Sequence, residues 1–497
     1  MWPFRRKSRP VASDDWDMSR PLLMLSRLSM WLLMHAFNGT FICGETGGGK
    51  SSGSGFALAM AFLRAGFGGL VLCVKPDERR TWERYARLAG REKDLVIFDA
   101  SCQHRYSFLD AEANRKGAGA GQVEVIVQLL CTILEVAERN GGQGGREDEG
   151  YWRRAVRQMI RNMVGLLLIA QGRVTVPDLY RLVVSAPTDP DQLKSEEWKQ
   201  QSFCFQCLAA GDKKSKSARE QRDFELMADY IMLEFVSLSS KTRSVIVSTF
   251  TSMVDVLNRN LLFDLFSTDT TVRPEDTFDG KIIIVDLPVK EFAEVGQFAG
   301  VLWKFVWQRA VERRNLEEHP RPVFLFVDEF QHFLTSHDSL FQTTARSAKV
   351  ASIFLTQNIS NLLAGFGGDN ARALTDSLLG NLTTKIAHLN SDPVTNEWFA
   401  SVIGRSRQFF MNMNSSFQPA ASSLMASYDE DVQSSSGMSE QMEFEVQPRR
   451  FTSLRSGGPQ NGFEVDAIVY QGGRVFEETG KAWLPVTFDQ RDGRVVV

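Results

Sequence analysis

The sequence predicts an α/β protein with a mostly parallel central sheet and an all-α insertion domain. Three observations carry that expectation. Short β-prone runs alternate with helical segments between Thr40 and Phe98, the signature of a sheet covered on both faces. Helical periodicity alone then dominates from Val123 to about Asn260. Buried strand-like runs resume at Lys281.

The run Thr40-Phe41-Ile42-Cys43 enters a glycine-rich turn. The segment Ser51 to Ala65 follows as a helix, with Phe56, Ala57, Ala59, Met60 and Leu63 apolar and Gly66 placed to cap it. Gly69 to Val74 is the second strand, Thr81 to Leu88 the second helix and Asp94 to Phe98 the third strand. Trp152, Val156, Ile160, Met163 and Leu167 share one helical face. Thr175-Val176-Pro177-Asp178 reads as a capped helix start. The insertion is therefore expected at 172–258, dividing a sheet domain of 38–171 and 259–408.

Lys281 to Asp286 returns to the sheet, followed by a helix with Phe292, Val295, Phe298, Leu302, Phe305 and Val306 on its apolar stripe. Val323 to Val327, Ala351 to Leu355 and Thr383 to Leu389 are further strands. Asn412 to Gly437 is rich in Ser, Met and Gln with little periodicity, so 409–443 is expected as a low-complexity linker or loop. Alternation from Phe463 to Val469 makes 444–497 a set of strands returning to the main domain. Residues 1–37 form an N-terminal amphipathic segment.

The 497 residues exceed one ordinary domain. With 43% apolar and 24% charged residues the composition is that of a soluble globular protein. A net charge of -3 argues against passive coating of nucleic acid, while leaving room for a basic channel. The six cysteines mostly sit in apolar runs, as buried reduced thiols do. Cys204 and Cys207 form a lone CxxC with no second ligand pair at zinc spacing, and are read as packing. Arg5, Arg6 and Lys7 precede Asp14, Asp15 and Asp17, with no cleavage pattern after them. The apolar stretch Pro21 to Phe37 carries Arg27 and His35 and is short for a membrane span. It reads at most as a weak membrane or partner contact.

Gly44-Glu45-Thr46-Gly47-Gly48-Gly49-Lys50-Ser51 meets the pattern G-x-x-x-x-G-K-[S/T] in full, between a strand and a helix. Glycines let backbone N–H groups turn inward around phosphate oxygens, and the helix N-terminus adds its partial positive charge. Residues Gly44 to Ser52 are thus the expected nucleotide-binding set. Within it Lys50 reaches the β- and γ-phosphates, and Ser51 holds Mg²⁺. ATP and Mg²⁺ are the expected cofactors. A partner carboxylate must end a buried strand, and Asp286 and Asp328 both qualify. Asp328 is favoured because Glu329 follows it, giving one acid for the metal and one to orient and deprotonate water.

Gln357, in Thr356-Gln357-Asn358 at a strand tip, is placed to sense the γ-phosphate or position the water. Arg346 has two readings. It is an arginine finger supplied to a neighbouring subunit, a device worth about 10³–10⁵ in rate, or a surface cation favouring a helix dipole.

In that order, Gly44–Ser51, Phe326-Val327-Asp328-Glu329-Phe330 and Leu355-Thr356-Gln357-Asn358 resemble the conjugative coupling proteins of type IV secretion, TraD/TraG-like members of the HerA–FtsK group of DNA-pumping ATPases. The helical insertion and Tyr151-Trp152-Arg153-Arg154-Ala155 fit as well. The resemblance covers 38–408 and the last strands, and implies a RecA-like P-loop NTPase fold. It gives Lys50, Ser51, Asp328, Glu329 and Gln357 the roles argued above and puts Arg346 in the place of a trans-acting arginine. It further implies a hexameric homo-oligomer with DNA in its pore, a relaxase or secretion-channel proteins as partners, and a cytoplasmic location, at most peripheral to the inner membrane.

Two features depart from the family pattern. Membrane-anchored members carry spanning helices before the glycine-rich loop, and this chain has little room for them. Glu45 and Gly48 stand where small or hydroxylic residues are usual, and a carboxylate beside phosphates is awkward unless it points outward.

The function expected is ATP-driven DNA translocation in conjugative transfer. The alternatives are an ATP-switched recruitment module without sustained translocation, and a soluble motor in DNA repair or phage defence. Lys213, Lys214, Lys216 and Arg219 form a basic loop that either contacts DNA or a relaxase, or is simply a solvated charged loop.

Overall fold

The computed structural model describes residues 16–117, 119–140, 149–416 and 433–496, with side chains described outside 133–140, 149–153, 411–416 and 433–437. The basic N-terminus with Asp14 and Asp15, and the middle of the serine-rich segment, lie outside the described residues. The strands are β1 (Pro21–Met24), β2 (Met30–Leu32), β3 (Thr40–Cys43), β4 (Gly68–Leu72), β5 (Leu95–Asp99), β6 (Ile282–Asp286) and β7 (Val323–Val327). They continue with β8 (Val350–Thr356), β9 (Thr384–Ala387), β10 (Arg405–Ser416), β11 (Gln433–Phe444), β12 (Glu464–Gln471), β13 (Trp483–Asp489) and β14 (Val495–Val496).

Ten of these make one sheet in the order β14-β13-β12-β9-β3-β8-β7-β4-β6-β5. From β9 to β5 the neighbours are parallel; β12, β13 and β14 are added antiparallel on the far side of β9. β3, β7 and β8 are buried along their whole length, which is why they read as continuous apolar runs. Alternate side chains feed two cores. Leu70, Leu72, Val323, Leu325 and Val327 join the larger core. Val71, Phe324 and Phe326 join the core beneath the helix Phe56–Ala65.

The register aligns the carboxyl ends of the strands. Cys43 lies beside Thr356 and Ala387, Val327 beside Phe354 and Leu72. Residues that follow these ends therefore meet along one edge, where open α/β sheets bind ligands.

Between β5 and β6 the described chain is helical. The helix Glu149–Gln171 contributes Met159, Ile160 and Met163 to a core shared with Cys204, Leu208, Phe224 and Phe250 of the helices that follow. The apolar stretch near the N-terminus forms the β1–β2 hairpin. Its Trp31, with Leu33 and Phe37 beyond it, is buried in the smaller core, while Leu28 is exposed.

That stretch, read from sequence as a surface contact, is thus part of the core, and the serine-rich segment differs from its expectation as well. β10 and β11 pair antiparallel from Arg405↔Phe444 to Ser416↔Gln433, where an irregular linker was expected. Backbone groups alone close such a ladder, and its described part exposes Phe409, Phe410, Met438 and Met442 rather than burying an alternating apolar face.

Candidate nucleotide site

The loop leaves β3 at Gly44 and re-enters helix at Ser51 through a π-turn, Ser51–Gly55, before Phe56–Ala65. Gly47 and Gly49 take φ of 78° and 89°, left-handed conformations that suit glycine, and the Gly48 N–H between them donates to the Glu45 carbonyl at 3.0 Å. Gly49 has a second constraint, since a Cβ there would lie 2.6 Å from Val465 Cγ1. Thr46 and Ser52 are exposed and Lys50 is buried. The Glu45 carboxylate accepts a 3.1 Å hydrogen bond from the Ser391 N–H, so it turns toward the loop after β9. That direction resolves the awkward acid.

Lys50 Nζ lies 3.5 Å from Glu329 Oε1, and the Ser51 hydroxyl donates a 2.6 Å hydrogen bond to Asp328 Oδ2. The doublet at the end of β7 thus faces the loop directly. Asp286, the other candidate, instead pairs with Arg79 at 3.2 Å, on a guanidinium it shares with Asp99. Glu329 adopts φ 52° and ψ 50°, a left-handed conformation unusual for a non-glycine residue. Its carboxylate accepts from Gln331 Nε2 at 2.9 Å and from Gln357 Nε2 at 3.3 Å. Gln331 is held in turn by the Thr356 hydroxyl at 2.9 Å. Burial alone would raise the Glu329 pKa, but Lys50, Gln331, Lys75 and Gln357 together hold it at about 2.

Besides Gln331, sequence reasoning missed four members of this cluster. Lys75, just past β4, lies 3.1 Å from Glu329 Oε1 and 3.3 Å from Asp328 Oδ2. Those acids and Glu78 outweigh burial and raise its pKa. The Glu78 carboxylate accepts from the Val74 N–H at 2.7 Å, and its Oε1 is buried without a hydrogen-bond partner. Burial first, and Asp328 next, push its pKa up to about 8. His388, past β9, meets the Ser54 hydroxyl at 2.7 Å through Nε2 and the Asp466 carbonyl at 3.0 Å through Nδ1. Burial lowers its pKa to about 4, so a neutral ring donates to the carbonyl and accepts from Ser54. Gln490 donates a 2.6 Å hydrogen bond to the Ser52 hydroxyl. The signal for Lys75 was its place just past a buried strand; the others are reached only through the strand order.

Arg346 follows the helix His337–Ala345, is exposed, and precedes β8. Because β8 runs toward the site, Arg346 sits at the opposite end of the sheet from Gln357. It takes no part in its own chain's cluster. In the basic loop Lys216 is committed locally: it donates to the carbonyls of Asp212 and Lys214 and lies over the Phe224 ring, while Lys213, Lys214 and Arg219 are exposed. Cys204 and Cys207 are buried free thiols whose pKa values burial raises to about 12 and 11. Among the described residues no helix is long and apolar enough to cross a membrane.

The family model described as the TraM recognition site of TraD and TraG matches residues 322–443, from the start of β7 into β11. No curated protein matches the sequence. Among solved structures, the bacterial conjugative coupling protein TrwBdeltaN70 in its unbound form is 14% identical with a TM-score of 0.59, over 96% of this chain and 92% of that one. The plasmid coupling protein TrwB with the non-hydrolysable GTP analogue GDPNP is 13% identical with a TM-score of 0.61, over 96% and 92%. The same protein with ADP and Mg²⁺ is 14% identical with a TM-score of 0.59, over 99% and 98%. The fold is therefore the RecA-like P-loop fold of these structures. Over residues 322–443 the chain is also similar to the TraM recognition site of TraD and TraG.

Proposed function

We propose that this chain is an ATP-hydrolysing motor that moves DNA during conjugative transfer, working as a hexameric ring. The observation that carries the nucleotide half is the meeting of Lys50, Ser51, Asp328, Glu329 and Gln357 at one sheet edge. The fold and the family match support the DNA half. That TrwB has been solved with ADP and Mg²⁺ supports the same cofactors here.

The residues fit a nucleotide and its metal. The glycine-rich loop offers N–H donors, and the Ser51 hydroxyl beside Asp328 is an oxygen pair of the kind Mg²⁺ takes. Bound Mg²⁺ supplies neutralisation of phosphate charge. Lys50 is the group that phosphates draw toward themselves. Its departure from Glu329 removes the strongest attraction that depresses that carboxylate's pKa, leaving Glu329 a better base. Gln331 and Gln357 hold the carboxylate in place as the attacking water is oriented. Arg346, away from its own chain's cluster, is assigned to a neighbouring subunit's site.

ATP hydrolysis by the purified protein, with and without single- and double-stranded DNA, tests this function. Strong stimulation by DNA is expected. Hydrolysis stimulated only by a protein partner would instead establish the second reading, an ATP-switched recruitment module. The description of the matched family model as a recognition site favours a recruiting role for 322–443 beside the motor.

A further inference from the structure

Phe463 is an exposed aromatic residue in a turn that Gln490 ties to the loop at Ser52. Phe463 is 39% exposed and has φ of 64°, a backbone conformation that suits glycine and disfavours an aromatic residue. Its turn is nonetheless firmly held. The Phe463 N–H donates to the Gly458 carbonyl at 2.8 Å, and its carbonyl accepts from the Gln490 N–H at 2.9 Å. Gln490 Oε1 accepts from the Gly458 N–H at 2.8 Å, and its Nε2 donates to the Ser52 hydroxyl at 2.6 Å. Two residues further on, in β12, Val465 packs onto Gly49 and Gly53. The turn carrying Phe463 is therefore fastened to the cradle on its Ser52 side.

The direction of a bound nucleotide follows from the charges. Asp328, Glu329, Lys75 and Gln357 gather on the side of Lys50 where hydrolysis is placed, so the terminal phosphate points there. The backbone N–H groups of the loop hold the inner phosphates. The nucleoside then leaves past Ser52, toward Gln490 and Phe463. We propose that Phe463 is the stacking platform for the nucleotide base, with Gln490 the positioning residue that sets its turn against Ser52. This rests on the reading of Gly44–Ser51 as a triphosphate cradle. A ring face engages the π-face of any base rather than its hydrogen-bonding edge, so the platform accepts both purine nucleotides alike.

The test compares dissociation constants of the full chain for ATP, GTP and inorganic tripolyphosphate. Phe463→Gly removes the ring and adopts the positive φ without strain, so its thermal midpoint is expected to hold or rise. It is expected to weaken ATP and GTP about tenfold and leave tripolyphosphate unchanged. Phe463→Trp keeps a stacking face and should keep ATP affinity. Unchanged ATP affinity in Phe463→Gly, or equal weakening of ATP and tripolyphosphate, would overturn the platform. Wild-type protein that binds neither would overturn the cradle as well, which separates the two failures.

Discussion

Lys75 Nζ lies 3.1 Å from Glu329 Oε1, so a cation from the end of β4 reaches the carboxylate that ends β7. The two strands are neighbours in the sheet, and Asp328 lies 3.3 Å from the same ammonium. With Lys50 also beside Glu329, two lysines compete for one acid. One of them is half-exposed and the other buried. Glu329 is thus held ionised by two groups of unequal exposure.

Lys75→Met should raise the pKa of Glu329, because Lys75 is one of the cations that lower it. The acid limb of the hydrolysis profile is expected to move up by about 0.5–1 pH unit, the scale of a partly exposed ion pair. A pH–rate profile with the limb unmoved or lowered would contradict the pairing.

Lys50→Ala is expected to lose nucleotide binding, whereas Glu329→Gln should bind nucleotide and lose turnover by about 10²–10⁴-fold. Equilibrium binding beside steady-state hydrolysis separates the two. Full activity of the Glu329→Gln protein would remove Glu329 from the role of base.

Glu78 carries a linkage with a definite sign. Its folded pKa, about 8, stands above the ordinary 4.5. Between those values the folded state holds the proton more tightly than the unfolded chain does. Stability from this group is full below about 4.5 and falls as pH rises toward 8, by no more than ~1.4 kcal/mol per pH unit. Glu78→Gln should flatten that part of a thermal-midpoint profile; an unchanged slope would show that the acid is not held protonated.

Arg346→Ala should hydrolyse slowly alone and recover part of its activity when mixed with subunits of a Lys50→Ala protein. In mixed rings an intact site receives an intact arginine from its neighbour. No recovery would return Arg346 to the reading of a surface helix-end cation.

Legibility followed how local each feature is. Gly44–Ser51 is contiguous because a phosphate cradle is made from one turn of backbone, so its chemistry lies in consecutive letters. Asp328-Glu329 is visible because two acids end an apolar run; Asp328 meets Ser51, while Asp286 pairs with Arg79. Glu78, His388 and Gln490 enter through strand order, which no local pattern encodes. The β10–β11 arm was hidden for another reason: with Phe409 opposite Glu440 and Phe410 opposite Ser439, its faces carry no consistent polarity. The direction of Glu45 depended on Ser391, a residue from the far side of β9.

The contact between Ser52 and Gln490 joins residues 438 positions apart. Val465, whose methyls touch the glycine loop, belongs to the same late strands. A chain that has folded β3 and its helix has therefore made only the floor of the pocket, and its far wall arrives with the closing segment. Such distant pairings slow folding more than they weaken the final state. A nucleotide that binds only the walled form would act as a folding ligand, drawing the two ends of the chain together by mass action.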